Sequence, residues 1–333
     1  MKKLGTLLSV IGLTSSILLA GCGAESSNGG SADEPKILKL AEIQPEDYPT
    51  TVGAKEFAKL VEEKTDGRYK VEVYAGGQLG DEKSAIEQVQ LGSIDVARVN
   101  AGPLTEFSDD IGVLALPYIF RDEIHQWDVL NGEVGKELLK TLEPSNMIGL
   151  SFYDSGKRSF YNSKKPIETP EDLEGLKIRV QQSDMVIDMV KALGASATPM
   201  AFEEVYSGIQ TGVIDGAENN FPSYYSTNHF EVAKYYTLDG HSTTPELLVM
   251  SKSTWDQLSD GDKKAFEEAA MESVDVQRKA WDELEEKART DIEANGNEII
   301  EIEDTTPWRE KVQPVYDKYG EQYSDWIEKI NNL

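Results

Sequence analysis

Short runs that alternate apolar with polar residues, or stay apolar throughout, are separated by amphipathic stretches of helical period. ILKLAE (37–42) reads as a strand, and VGAKEFAKLVEEKTDG (52–67) as a helix with Phe57, Leu60 and Val61 on one face and a stop at Gly67. YKVEVY (69–74) is the next strand, GGQLGDE (76–82) a turn, KSAIEQVQLG (83–92) a helix, and IDVARV (94–99) a strand leading into Asn100. That β-α-β-α-β order, with right-handed crossovers, predicts a parallel sheet.

MIGLSFYDS (147–155) and RSFYNS (158–163) follow as strands and open a second α/β unit. It continues through a Pro-led turn TPEDLEG (169–175), a strand LKIRV (176–180), a helix SDMVIDMVKALG (183–194) and a short strand ATPM (197–200). A helix FEEVYSGIQTG (202–212) and a strand-to-turn IDGAENN (214–220) complete it. ELLVMSK (246–252) is expected to cross back to the first unit.

Ser259 then caps one long helix, residues 261–294, about 50 Å at 1.5 Å per residue. Phe266, Ala269, Ala270, Val274, Trp281, Leu284, Ala288 and Ile292 recur on it at helical spacing. A helix of that length exceeds one domain, so it is expected to lie across both; a coiled-coil arm is the alternative, though the stripe lacks a sustained heptad. EIIEIE (298–303) is a late strand, and helical turns around Trp308, Tyr316, Tyr323 and Trp326 end the chain.

The N-terminal residues change the picture. Lys2 and Lys3 precede an apolar core, residues 4–19, too short and interrupted for a settled membrane span, so 1–21 read as a secretory signal. Leu19-Ala20-Gly21-Cys22 resembles the lipobox of bacterial lipoproteins, which implies that Cys22 is acylated and becomes the mature N-terminus. Two acyl chains, at about 0.8 kcal/mol per buried methylene, would hold the protein on a membrane surface. An ordinary signal with an incidental cysteine is the other reading. Residues 22–36 are a flexible tether. The expected location is extracytoplasmic, lipid-anchored to the outer face of the cell membrane.

Cys22 is the only cysteine, so no disulfide forms within the folded part and packing must hold it together. Sixty acidic residues against 33 basic ones give a net charge of −27, and nothing basic clusters beyond the signal; nucleic acid is excluded as a partner. Such a field repels anions at range, so any anion site must be built locally from arginine.

Two arginines are placed for that. Arg158 and Arg179 stand near the ends of strand-like runs, and Asn219 follows in a turn with paired amides. A guanidinium fork matches a carboxylate, which points to capture of a small organic acid. The competing reading pairs Arg179 with Glu171, Asp172 or Glu174, and lets Asn219 and Asn220 simply shape a turn. His125, His229 and His241 are scattered without metal-ligand spacing, and no GxSxG, SxxK or GxGxxG occurs; no metal, cofactor or catalytic group is expected.

The ordered segments 57–82, 91–97, 114–120, 166–180 and 193–220, with the long helix, resemble the DctP-type solute-binding proteins of tripartite ATP-independent periplasmic (TRAP) transporters across residues 37–333. The resemblance implies an α/β, two-domain periplasmic-binding-protein-like fold with hinge strands, an interdomain cleft and a long helix spanning both domains. Expected boundaries are 37–155 with 244–280 for the first domain, and 156–243 with 281–333 for the second.

By the same resemblance Arg179 is the carboxylate clamp, Arg158 a second cleft arginine and Asn219 a ligand-binding amide. Glu82, Asn100 and Phe202 fall where the family lines its pocket, and Glu42, Gln44 and Tyr48 are candidates near the first strand's end. The implied partners are a small organic acid and the small and large TRAP membrane subunits. Two arginines beside glutamates and amides suit one carboxylate and several hydroxyls. PEDYPTT (45–51) and ENNFPSYY (218–225) resemble the hexuronate-binding branch, so glucuronate or galacturonate is expected first, then a diketogulonate, then a dicarboxylate. A surface enzyme acting on uronates is the alternative class.

Overall fold

The computed structural model describes residues 34–333; the expected signal, most of the tether and Cys22 lie outside them. Four strands come first: β1 (Lys36–Ala41), β2 (Tyr69–Tyr74), β3 (Val96–Asn100) and β4 (Met147–Tyr153). Five more follow: β5 (Arg158–Asn162), β6 (Lys177–Val180), β7 (Ser196–Pro199), β8 (Gly216–Asn219) and β9 (Tyr235–Ser242). The chain returns with β10 (Glu246–Ser251), and β11 (Glu298–Glu301) is last.

They form two sheets, of order β2-β1-β3-β10-β4 and β11-β9-β5-β8-β6-β7. β1 runs parallel to β2 and β3, as the β-α-β-α-β pattern predicts, while β10 enters antiparallel between β3 and β4. In the second sheet β6 is parallel to β7 and β8, and β5 is antiparallel to β8 and β9. Two short segments, β4 to β5 and β9 to β10, therefore cross between the sheets, and the stretch from β10 to β11 crosses a third time through the long helix.

β9 has no counterpart in the sequence reading. Its aromatic start, Tyr235-Tyr236, gives way to Asp239-Gly240-His241, which breaks any apolar alternation, yet all eight residues are in the strand. Gly240 takes φ +57°, and the pairing with β5 shifts register between Arg158 and Phe160. The polar end is stabilised by its own hydrogen bonds, described below.

The long helix runs Asp260–Ala294, with Ser259 Oγ accepting from Asp262 N at 3.1 Å. Phe266, Ala269, Ala270 and Val274 join the larger core cluster, which takes in the first sheet and residues of β5 and β6, while Ala288 and Ile292 join the smaller one with Tyr161, Tyr224 and Tyr236. Between these ends Gln277 clamps the first crossing segment: its Oε1 accepts from Asp154 N at 2.8 Å and its Nε2 donates to Asp154 O at 2.9 Å. Gly53, on the helix Pro49–Lys64, makes that approach possible, because a Cβ there would lie 2.7 Å from Gln277 Cβ.

Candidate functional site

Strand ends build the cleft. The parallel strands β1, β3, β6 and β8 bring their carboxyl ends, followed or closed by Glu42, Asn100, Gln181 and Asn219, and the antiparallel β5 and β10 bring their starts, Arg158 and Glu246. Crevices outside the carboxyl ends of parallel strands are where open α/β sheets hold ligands. A loop with Gly77 and Gly80 at φ +71° and +115° then lets Asp81 cap the helix Glu82–Gln90, which sets Glu82 on the cleft wall.

Arg98 lies 2% exposed in a strand with all five residues buried, so its charge must be met within the protein. Its Nε donates to the Glu42 carboxylate at 2.9 Å, Nη2 pairs with the same group, and Nη1 donates to Glu246 Oε2 at 2.6 Å. Glu82 Oε1 is 3.4 Å from Nη1 and accepts from Asn100 N at 2.7 Å. Burial pushes the Glu82 carboxyl up to about 7, with Arg98 only partly opposing it.

Arg158 is likewise neutralised. Its Nε and Nη2 donate to Glu218 Oε2 and Oε1 at 2.6 and 2.8 Å, and its Nη1 donates to Asn219 Oδ1 at 2.9 Å. His241 extends the chain, with Nδ1 2.7 Å from Asp239 Oδ2 and Nε2 3.4 Å from Glu218 Oε2. Burial alone would raise Glu218, but Arg158 and His241 outweigh it and hold the carboxyl at about 2. Burial alone would lower His241, but Asp239 and Glu218 raise it to about 9.

Arg179 is different. It is 4% exposed, its Nε donates to Met200 O at 2.9 Å, and its guanidinium carbon lies 5.6 Å from the Phe202 ring centre. No hydrogen bond or ion pair among the described residues uses its two Nη groups, and burial depresses its pKa, with the Glu218 charge only partly offsetting that. Nearby His229 is held neutral, down to about 3, by burial and then by Arg179. One buried positive fork therefore remains uncompensated, oriented by a carbonyl and an aromatic ring.

Two acceptors beside it are also unused: among the described residues Gln44 Oε1 and Gln181 Oε1 are buried without a partner, and both residues line the same cavity. That cavity has a volume of about 20 Å³, and a neighbouring one of about 20 Å³ shares Glu82, Arg179, Gln181 and Phe202. Each has room for about one water.

Arg158, Arg179, Asn219, Glu82, Asn100 and Phe202 thus line one cavity. Asn100 is fully engaged there, its Oδ1 accepting from Gly102 N and its Nδ2 donating to Thr244 O and Glu246 Oε1. Glu42 sits behind Arg98, outside the lining, and Tyr48 hydrogen-bonds across to Ser223 and Asn220 instead. Arg98, Glu218, Glu246 and Gln181 were not anticipated. The one signal available was Arg98 itself, a charge inside the apolar run VARV, which a buried strand tolerates only with counter-ions.

The family described as Bacterial extracellular solute-binding protein, family 7 (DctP) matches residues 40–322. The chain belongs to this family. A solute-binding protein of Chromohalobacter salexigens is 42% identical over 291 residues, 87% of each chain. The C4-dicarboxylate-binding periplasmic protein DctP of Rhodobacter capsulatus is 35% identical, covering 87% of this chain and 88% of that one. The 2,3-diketo-L-gulonate-binding periplasmic protein YiaO of Escherichia coli is 32% identical, covering 86% and 87%. Among solved structures, a TRAP periplasmic solute-binding protein of Sulfitobacter sp. NAS-14.1 with bound β-D-galacturonate has TM-score 0.87 at 42% identity, covering 90% of this chain and all of that one. That of Roseobacter denitrificans with bound β-D-glucuronate has TM-score 0.86 at 41% identity, covering 89% and 99%. The two-sheet α/β fold is that of the TRAP periplasmic binding proteins.

Proposed function

We propose that the protein is an extracytoplasmic receptor for a hexuronate, glucuronate or galacturonate, which it delivers to the small and large membrane subunits of a TRAP transporter. One observation carries the ligand reading: of three buried arginines at the cleft, only Arg179 lacks a counter-ion. The site therefore holds one unspent positive charge, which suits one carboxylate. Gln44 and Gln181 offer unused acceptors for hydroxyls, and Glu82, Glu218 and Glu246 disfavour a second carboxylate nearby. The uronate-bound structures at above 40% identity support the same choice.

A hexuronate needs more room than the cleft has, so the two halves separate to admit it and close over it, with the crossing segments and the long helix as the hinge. Nothing in this cycle transforms the ligand. Calorimetric titration with glucuronate, galacturonate, 2,3-diketogulonate and succinate tests the reading. Tight binding of succinate with no response to either uronate would replace it with the dicarboxylate reading that the name of the Rhodobacter relative favours. Recovery of altered uronate after incubation would replace it with an enzymatic one.

The sequence LAGC supports an anchor on Cys22. Detergent-phase partitioning of the full chain, lost in Cys22→Ala, is expected; equal partitioning of the two would remove the anchor.

A further inference from the structure

Three contacts, in chain order on both sides, join the segment after β3 to the segment after β6, and so one half of the cleft to the other. Thr105 Oγ1 lies 2.8 Å from Ser183 Oγ, and the Glu106 carboxylate accepts from Asp184 N at 3.0 Å. The remaining one is a close approach between Gly102 and Gln181. A Cβ on Gly102 would lie 2.4 Å from Gln181 Oε1 and 3.2 Å from Gln181 Cδ. Both distances fall inside ordinary van der Waals contact, so any side chain at 102 displaces the carboxamide.

The backbone does not require glycine here. Gly102 has no positive φ; it sits in the short helix Ala101–Leu104, and its N–H donates to Asn100 Oδ1 at 2.9 Å. Alanine suits a helical position better than glycine, so what glycine supplies is the space. That space holds the end of Gln181, whose buried Oε1 has no partner among the described residues and whose side chain lines the cavity with Arg179. The Gln181 backbone is fixed separately, its carbonyl accepting from Ser183 N at 2.9 Å. Only the side-chain torsions are left to place the carboxamide, and Gly102 lets them fold it against the first half.

We propose that Gly102 is a positioning residue for solute recognition, seating the Gln181 carboxamide so that its acceptor meets a ligand hydroxyl only when the two halves are closed. This rests on the hexuronate reading above and deepens the part Gln181 plays in it. With the halves apart, Gln181 has no seat and its carboxamide is solvated. Closure orders it against Gly102, and an acid that carries a hydroxyl at that point finds the acceptor already placed. An acid without one leaves the buried acceptor unpaired, which is the stronger form of discrimination.

A double-mutant cycle, read by calorimetric titration of the full chain with glucuronate, tests this. Gly102→Ala is expected to lose roughly fivefold in affinity, the worth of one hydrogen bond. Its melting temperature is expected to stay unchanged or rise slightly, because only the flexible end of Gln181 must move. Gln181→Ala is expected to lose a similar factor. Adding Gly102→Ala to Gln181→Ala should then cost less than about twofold, since the displaced group is gone. No loss in Gly102→Ala, an equal loss in both backgrounds, or full affinity in Gln181→Ala overturns the proposal. 2,3-Diketogulonate, which also joins one carboxylate to hydroxyls, is titrated in parallel. If the wild type binds it and ignores glucuronate, the hexuronate reading fails while the same cycle, run with this acid, still decides the role of Gly102. Binding of neither acid overturns both.

Discussion

The Tyr48 hydroxyl stands 2.8 Å from Ser223 Oγ, joining the helix that follows β1 to the helix that follows β8. It also lies 3.3 Å from Asn220 Oδ1, and its ring meets Trp281 edge-on with centroids 6.1 Å apart. This contact spans the two sheets at the cleft, with Tyr48 outside the cavity lining and Ser223 on it, and on the proposed cycle it holds the closed state. Tyr48→Phe keeps the ring and removes the bridge. A net hydrogen bond is worth about 1 kcal/mol, so uronate affinity is expected to fall roughly fivefold. Unchanged affinity by calorimetry would mean that closure does not use this bridge.

Arg179→Ala removes the one unspent charge. Breaking a buried pair costs about 3–5 kcal/mol, or two to four decades of affinity. Arg179→Lys is expected to lose most of that too, because an ammonium cannot reproduce the fork held by Met200 O and Phe202. Near-normal titrations in either variant would contradict the carboxylate clamp.

Gln181→Leu separates binding from stability. Its buried Oε1 has no partner among the described residues, so an apolar replacement removes an unsatisfied group and is expected to leave melting unchanged or raise it slightly. Glucuronate affinity is expected to drop about tenfold, since a hydroxyl loses its acceptor. A variant that melts early and binds normally would show that Gln181 supports the fold alone.

The Glu82 carboxyl, raised by burial to about 7, makes binding pH-dependent. Below that value it is neutral, the cleft is more positive, and the uronate carboxylate is held more tightly. Affinity is expected to weaken as pH rises from 6 to 8, and Glu82→Gln to flatten that dependence. The same shift governs folding: a raised folded pKa contributes stability below the ordinary range near 4.5 and loses it as pH rises through 7. Glu82→Gln should therefore gain most in melting temperature on the alkaline side.

The Arg158–Glu218–His241–Asp239 chain sets a second window. His241, raised to about 9, contributes stability below its ordinary 6.5 that is lost as pH rises through 9. Glu218, held at about 2, contributes above 4.5 and loses it only as pH falls through 2. Melting temperature should fall between neutral pH and 9, and less steeply in His241→Asn. Parallel slopes for the two proteins would place the alkaline loss elsewhere.

Much of this architecture could be read from residue order. The parallel β1–β3 unit and the long helix follow from periodicity, and two strand-end arginines point to an acid. The resemblance further marks Glu82, Asn100, Phe202 and Asn219, which line the same cavity. The counter-ions could not be read. With 60 acidic residues in the chain, nothing local distinguishes Glu218 or Glu246 from a solvated carboxylate, and only the tertiary contact with Arg158 or Arg98 does. That is also why Arg158 and Arg179 look equivalent in sequence when one is spent and the other is not. β9 was hidden by Asp239, Gly240 and His241, residues that serve the ion-pair chain and the crossing more than the strand.

The helix Asp260–Ala294 is packed into one core near Phe266 and into the other near Ile292, roughly 39 Å away at 1.5 Å per residue. A rod seated in two bodies cannot stay straight and keep both seats when those bodies turn apart. On the opening proposed above, the helix flexes or unseats an end, and with Gln277 gripping Asp154 midway the bend has a fixed fulcrum. In that proposed cycle it acts as a return spring, whose stiffness sets how readily the unloaded jaws gape.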